Sequence, residues 1–460
     1  MKIAVLSDLH LSDGLDESHL NVLREALKIC RENNADVIAC AGDMVKAGAC
    51  AAASFLIESL KKLPLPVVVT KGNTEDGIDG IDELIKDLRL YISQEVEVLT
   101  TEAEPPPDSK SKFRILVGHY PMRTLPCNVD LQIAGHLHRD SSNGKIEIVR
   151  GLDPDKVIGG PPAVAFFEIE NGRYNRKDVS LKGFTVAEWS KSERMSLFRQ
   201  IGVAIKVDPV EELNRAVELN MPAVEVLYNL LKNEKCPSAI ANYLRETKGV
   251  LSIHLPDISF EKPDAVLEYI KKTVDLGAKQ FTLHVPKVSI QEMAKPGNFD
   301  QICDFYCHAI SAAPDAVFGI ENMHMVSGES EFDRRFGYTP DEQMSIIRKL
   351  RHLIPNRRIG AVLDIGHARN NGVFYQRYSL SHWYEALRGE IAAMHLHQVR
   401  QSPDGLHNHT PITGWYESLI SLASFISEWK NGTFKDALLF VECRGGWESS
   451  YSLFKNELLV

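Results

Sequence analysis

Eight short apolar runs recur through the second half of the chain, at 201–207, 223–227, 250–254, 280–284, 317–321, 360–364, 391–395 and 438–442. Each of the first seven precedes a segment with helical periodicity. Runs of this length without polar alternation are the pattern of strands buried on both faces, and a β/α alternation makes neighbouring strands parallel. Eight such units in about 260 residues match the size of a closed (β/α)8 TIM barrel.

The first half repeats the rhythm with predicted strands at 2–7, 36–41, 66–70, 113–118 and 131–135. A β-rich stretch follows at 145–150 and 163–169, ending in the hairpin signal Asn171-Gly172. Pro105-Pro106-Pro107-Asp108-Ser109 reads as a surface loop, and a polar segment near 184–197 separates the halves. A chain of 460 residues predicts two to three domains, here 1–183 and 198–460, both α/β.

With 44% apolar and 25% charged residues the composition is that of a soluble globular protein. The net charge of −10 argues against a protein that coats polyanions. It leaves a nucleic-acid enzyme open, since bound cations reverse the local potential where phosphate sits. The apolar start Met1–Leu6 turns polar at Ser7, too short for a signal peptide, and no apolar run reaches membrane-spanning length. Eight cysteines are scattered without a disulfide-like framework. The expectation is a cytoplasmic protein with no membrane partner. Cys303 and Cys307, one turn apart in a predicted helix, read as packing residues.

Chemistry-bearing residues collect where the apolar runs stop, as open α/β sheets require. In the first half these ends read Asp8-Leu9-His10, Gly42-Asp43, Gly72-Asn73-Thr74-Glu75, Gly118-His119 and Gly135-His136-Leu137-His138. Residues two apart on a strand share a side, so Asp8 and His10 are expected to reach one ion from the strand end. A lone Gly-Asp or Gly-His would carry little weight, but the ordered five-part set is specific. It resembles the calcineurin-like metallophosphoesterase family over roughly residues 1–180, whose fold is an αββα sandwich. The resemblance implies Asp8, His10 and His138 on one ion, Asn73, His119 and His136 on a second, and Asp43 bridging them. Asp43, Asn73 and His119 would be catalytic. Two divalent ions (Mn, Fe or Zn) would polarise the phosphoryl group and activate water for in-line attack. Most of the family has histidine where this chain has Thr74. Threonine is no general acid near neutral pH, so the resemblance implies action on diesters with good leaving groups.

The second half gives Ser252-Ile253-His254, Thr282-Leu283-His284, Glu321-Asn322, Asp364-Ile365-Gly366-His367, His395-Leu396-His397 and Glu442 at its strand ends. In a barrel all of these meet at one mouth. The pattern resembles the xylose isomerase-like barrel superfamily over roughly residues 198–460. That resemblance implies a four-ligand set of Glu321, Asp364, His395 and Glu442, with His367 close by. Gly337-Tyr338-Thr339-Pro340-Asp341-Glu342 echoes the superfamily, and Pro340 suits a helix start.

His254, His284 and His407-Asn408-His409 look like endonuclease IV-type AP endonucleases. Carried over, His254, His284 and Glu321 hold one ion, and Glu321, Asp364, His395 and Glu442 the next. His367, His407 and His409 would serve a third. That family has aspartate at the position of His407, so this site departs from its pattern. The barrel would take one to three divalent ions (Zn or Mn), with Glu321 and Glu442 catalytic. The remaining histidines, His19, His308, His324, His352, His382 and His397, read mostly as surface or packing residues, with His397 on the same strand side as His395. Asp333-Arg334-Arg335 lies on the catalytic face, as a solvated loop or a phosphate contact.

The expected function is a two-domain metal-dependent phosphodiesterase or nuclease with a phosphodiester substrate, DNA or RNA among them. Two alternatives stay open. One is a sugar or sugar-phosphate isomerase or epimerase barrel fused to a phosphatase. The other, resting on Thr74 and His407, is a metal-binding scaffold with one silent domain.

Overall fold

The computed structural model describes residues 1–103 and 112–459. The loop expected at Pro105–Ser109 lies outside the described residues. Two compact units emerge: Met1–Thr185 with Trp415–Ser427, and Val186–Gly414 with Glu428–Val460.

Among its described residues unit 1 has eleven strands: β1 (Lys2–Leu6), β2 (Val37–Ala41), β3 (Val67–Thr70), β4 (Leu90–Ile92), β5 (Val96–Thr100), β6 (Phe113–Gly118), β7 (Leu131–Ala134), β8 (Ser141–Ser142), β9 (Ile146–Ile148), β10 (Ala163–Glu170) and β11 (Arg173–Ser180). They form two sheets, ordered β11-β10-β1-β2-β3 and β4-β5-β6-β7-β9-β8. Strand alternation sorts the side chains. Ile3, Val5, Val37 and Ala39 meet Val96, Val98, Ile115 and Val117 in the core between the sheets. Ala4, Leu6, Ile38 and Cys40 face the other way, against Val22, Ala26 and Leu56 of the helices Glu17–Glu32 and Cys50–Lys61.

The expected hairpin is present: Glu170 pairs with Arg173, and Asn171 (φ 50°) and Gly172 (φ 71°) take the left-handed conformation a two-residue turn demands. Within unit 1 the inserted segment is tied down by the Tyr416 hydroxyl donating to Phe184 O (2.8 Å) and by Gly159 N–H donating to Tyr416 O (3.0 Å).

Unit 2 closes a barrel from eight strands: β12 (Ile201–Ile205), β13 (Ala223–Leu227), β14 (Val250–His254), β15 (Gln280–His284), β16 (Val317–Glu321), β17 (Arg358–Asp364), β18 (Ile391–Leu396) and, after a hairpin of β19 (Gln398–Ser402) and β20 (Gly405–Thr410), β21 (Leu438–Val441). All neighbouring barrel strands are parallel. Thr339 caps the helix Pro340–Leu353, accepting from Glu342 N–H, with Pro340 in its first turn. Cys303 is buried and Cys307 half-buried on the helix Asn298–Ser311, and all eight cysteines are free. No helix among the described residues is long and apolar enough to cross a membrane.

Candidate metal centres

Asp8 and His10 converge, but not by strand alternation. β1 ends at Leu6, and both residues lie beyond it in left-handed backbone, φ 51° and 54°. Asp43, His136 and His138 share that conformation, at 51°, 70° and 52°. Non-glycine residues reach it only when surrounding structure holds them there. Here the two loops are zipped together, Asp8 N–H donating to Gly42 O (3.0 Å) and His10 N–H to Asp43 O (3.1 Å). Gly72 passes so close beneath that a Cβ would sit 2.1 Å from Asp43 Oδ1.

The side chains form two donor groups, Asp8–His10–His138 and Asp43–His119–His136. Asp43 Oδ2 lies 3.4 Å from both His10 Nε2 and His119 Nε2, between the groups. His119 Nε2 is also 3.1 Å from Asn73 Oδ1. All seven residues expected from the sequence are thus brought together. Burial opposes the Asp43 charge, yet the His10 and His119 imidazoles outweigh it and hold the carboxyl well below its usual range. Burial pushes Asp8 up to about 6 and His138 down to about 3, so that His138 is a neutral imidazole near neutral pH, with one ring nitrogen free to act as a ligand.

The Thr74 hydroxyl is engaged within the loops: it sits 2.7 Å from Val45 O and 2.9 Å from Asp43 Oδ1, and the Thr74 N–H donates to the same carboxylate oxygen (3.0 Å). Three supporting residues escape the sequence pattern. Buried Glu75 accepts from the N–H groups of Gly72, Asp43 and Val45 at 2.7, 2.9 and 3.0 Å, lacing the loops together. Asp153 Oδ2 lies 3.2 Å from His10 Nδ1. The exposed Tyr120 hydroxyl donates to Asn73 Oδ1 (3.2 Å).

In unit 2, His254, His284, Glu321 and Asp364 each occupy the last position of their strand, His395 lies in β18, and Glu442 follows β21. Glu321 Oε2 is 3.0 Å from His254 Nε2 and 3.5 Å from His284 Nε2. His395 Nδ1 is 3.2 Å from Glu321 Oε1, 3.2 Å from Glu442 Oε2 and 3.9 Å from Asp364 Oδ2. His395 Nδ1, Glu321 Oε1 and Glu442 Oε2 are nevertheless buried without hydrogen-bond partners. Close approach without hydrogen-bond alignment is what donor atoms aimed at a common centre produce, and such orphaned groups are costly unless a cation satisfies them. Burial opposes a charge on His395, but Glu442, Glu321 and Glu225 outweigh it and raise its pKa well above the ordinary value.

His367 Nδ1 lies 3.4 Å from both Glu321 Oε1 and Asp364 Oδ2. His409 Nδ1 lies 3.7 Å from Glu442 Oε2. His407 is not brought to this cluster. It is exposed, its Nε2 beside Ser402 Oγ (2.6 Å) and Asp404 Oδ1 (3.1 Å). Strand alternation would put His407 and His409 on one side, but His409 is left-handed (φ 61°) and the β19–β20 register slips between Gln398 and Arg400, so the two side chains part.

Glu225 was missed although it interrupts the apolar run Ala223–Leu227, a visible signal. It accepts from Thr282 Oγ1 (2.6 Å), Ser252 Oγ (2.7 Å) and His395 Nε2 (2.8 Å), leaving His395 Nδ1 for the cluster. Asp257 does the same for His284 Nδ1 at 2.6 Å. Of the histidines read as surface or packing residues, His19 and His397 are fully buried, and the His324 ring lies 4.8 Å from that of His367. Arg334 is no phosphate contact, being buried in an ion pair with Glu342 (2.6 Å).

Family models match both halves, a calcineurin-like phosphoesterase at residues 1–140 and a xylose isomerase-like TIM barrel at 213–455. No curated protein matches the chain. Similar solved structures include a D-tagatose 3-epimerase-like protein (17% identity, 56% of this chain and 96% of that one, TM-score 0.43). A putative xylose isomerase from Rhodospirillum rubrum matches at 14% identity (60% and 94%, TM-score 0.40). A dimetal phosphatase from Danio rerio matches at 15% identity (39% and 97%, TM-score 0.28). The phosphoesterase family implies divalent metal ions, and the donor chemistry of the first unit, buried imidazoles interleaved with carboxylates, fits them. The chain belongs to the xylose isomerase-like TIM barrel family and carries a calcineurin-like phosphoesterase domain ahead of the barrel.

Proposed function

We propose that the chain is a two-domain metal-dependent phosphodiesterase acting on nucleic acid or a nucleotide-derived phosphodiester. The observation that carries this reading is the pair of donor groups that share Glu321. One oxygen faces His254 and His284, the other faces His395. A carboxylate placed between two sets of donors suits two cations, the arrangement of two-metal phosphoryl chemistry. His254 and His284 are also the residues on which the likeness to endonuclease IV-type enzymes rests.

In unit 1, Asp8, His10, His138, Asn73, His119, His136 and bridging Asp43 would hold two ions; in unit 2, His254, His284, Glu321, Asp364, His395 and Glu442 would hold at least two more. Bound divalent ions would supply positive charge to the phosphoryl and leaving-group oxygens. Asp43, Asn73, His119, Glu321 and Glu442 orient the reacting group, and Glu225 and Asp257 fix the rings of His395 and His284. With the Thr74 hydroxyl turned towards Asp43 and Val45, unit 1 is suited to diesters whose leaving group needs no protonation.

The test compares the parent with Asp43→Ala and Glu321→Gln on an aryl phosphodiester, single- and double-stranded DNA, abasic DNA, RNA and free sugars. Each variant should lose at least about 10–100-fold on one phosphodiester class, the range seen when metal ligation is disturbed. Phosphodiesterase activity unchanged in both variants would refute the proposal, and sugar isomerisation lost in Glu321→Gln would replace it with the isomerase reading.

A further inference from the structure

The position expected of His407 is not empty of imidazole. Asp364, His397, His409 and Glu442 bring one donor atom each to within 4.8 Å of one another. We propose that His397 is a metal ligand, completing with Asp364, His409 and Glu442 a buried divalent-cation site in which His407 takes no part. The inference rests on the phosphodiesterase reading only for its use, not for its geometry.

Three observations carry it. First, two of the four donors are unsatisfied: His409 Nδ1 and Glu442 Oε2 are buried without hydrogen-bond partners, 3.7 Å apart, with side chains 10% and 2% exposed. Second, the His397 ring is held ready. Its Nδ1 lies 3.0 Å from Gln398 O and 2.9 Å from His409 N. Nδ1 accepts from the His409 N–H, so in the metal-free protein Nε2 carries the ring proton and donates to the Asp364 carboxylate, the place a cation would take. That Nε2 faces both Asp364 oxygens, at 2.9 and 3.1 Å. Third, the backbone is cut to fit the ring: a Cβ at Gly366 would lie 1.8 Å from His397 Cε1 and 2.4 Å from Nδ1. Two imidazoles and two carboxylates are a donor set for zinc or manganese.

The test is a metal count on the full chain, stripped with chelator, reconstituted with zinc chloride, freed of excess and measured by mass spectrometry without substrate. His407→Ala should keep the parent zinc content, and His397→Ala should bind one equivalent less. Gly366→Ala, which displaces the ring without removing it, should give the same loss and stands in if His397→Ala fails to unfold cooperatively. Parent zinc content in both His397→Ala and Gly366→Ala overturns the proposal, as does a loss in His407→Ala that His397→Ala lacks. Hydrolysis that persists without this one-equivalent difference would leave the functional reading standing and remove this one.

Discussion

Six candidate ligands, Asp8, His10, Asp43, His136, His138 and His409, are left-handed non-glycine residues, a conformation worth about 1–2 kcal/mol of strain apiece. Something must hold them, and in unit 1 that is Glu75. Its buried carboxylate accepts from three loop N–H groups, including that of Asp43. Glu75→Ala orphans those donors and should cost about 2–5 kcal/mol of stability in the metal-free protein, read as a drop in the first unit's denaturation midpoint; a change under about 0.5 kcal/mol would mean the loops hold themselves. The identities of these ligands were legible in the sequence. Their backbone was not: alternation predicted Asp8 and His10 on a strand, whereas an irregular segment with left-handed φ at both residues aims them. Glu75 was quoted within its motif, but a carboxylate that bonds only backbone leaves no mark in residue spacing.

At the scale of elements, buried parallel strands announce themselves, because an all-apolar run stopped by a ligand has few other interpretations. β13 to β16 end where the sequence ended them. Short or edge strands do not: Leu90–Ile92 is three residues with exposed ends, and β20 has Leu406 as its one large apolar residue. The stretch near 184–197, expected as a polar separator, contains the helix Lys191–Phe198, opened by a capping box between Ser190 and Glu193. Its ion pair with Lys430, then the Ser190 contacts, lower the Glu193 pKa from 4.5 to about 2. A depressed folded-state pKa stabilises above the unfolded value and loses that contribution as pH falls through the folded one. The melting-temperature gap between parent and Glu193→Gln should therefore be constant above about pH 4.5 and shrink as pH falls towards 2. A gap that widens on acidification would contradict it.

For the whole molecule, the two candidate clusters draw their ligands from different units: Asp43 and its partners from the first, Glu321 and its partners from the second. Cations binding only folded protein stabilise it by about 2.7 kcal/mol at a hundredfold excess over Kd, or about 5–10 °C for domains of this size. Chelation should lower the thermal transitions by that order, and zinc or manganese should restore them. Asp43→Ala should remove the metal-dependent gain from one transition and Glu321→Gln from the other; a gain surviving intact in both would place the cations elsewhere.

By itself, the sequence determined the barrel, the two-sheet unit and nearly every residue type at the two clusters, because strand burial and strand-end chemistry are local and periodic. Only the tertiary structure decided that Trp415–Ser427 belongs with the first unit, that Glu225 and Asp257 stand behind two histidines, and that His397 rather than His407 meets Asp364. The last depends on the left-handed backbone at His409 and on the space Gly366 leaves for a ring 31 residues further along. Contacts of that kind join residues distant in sequence and follow no period, so they exist only once the chain has closed.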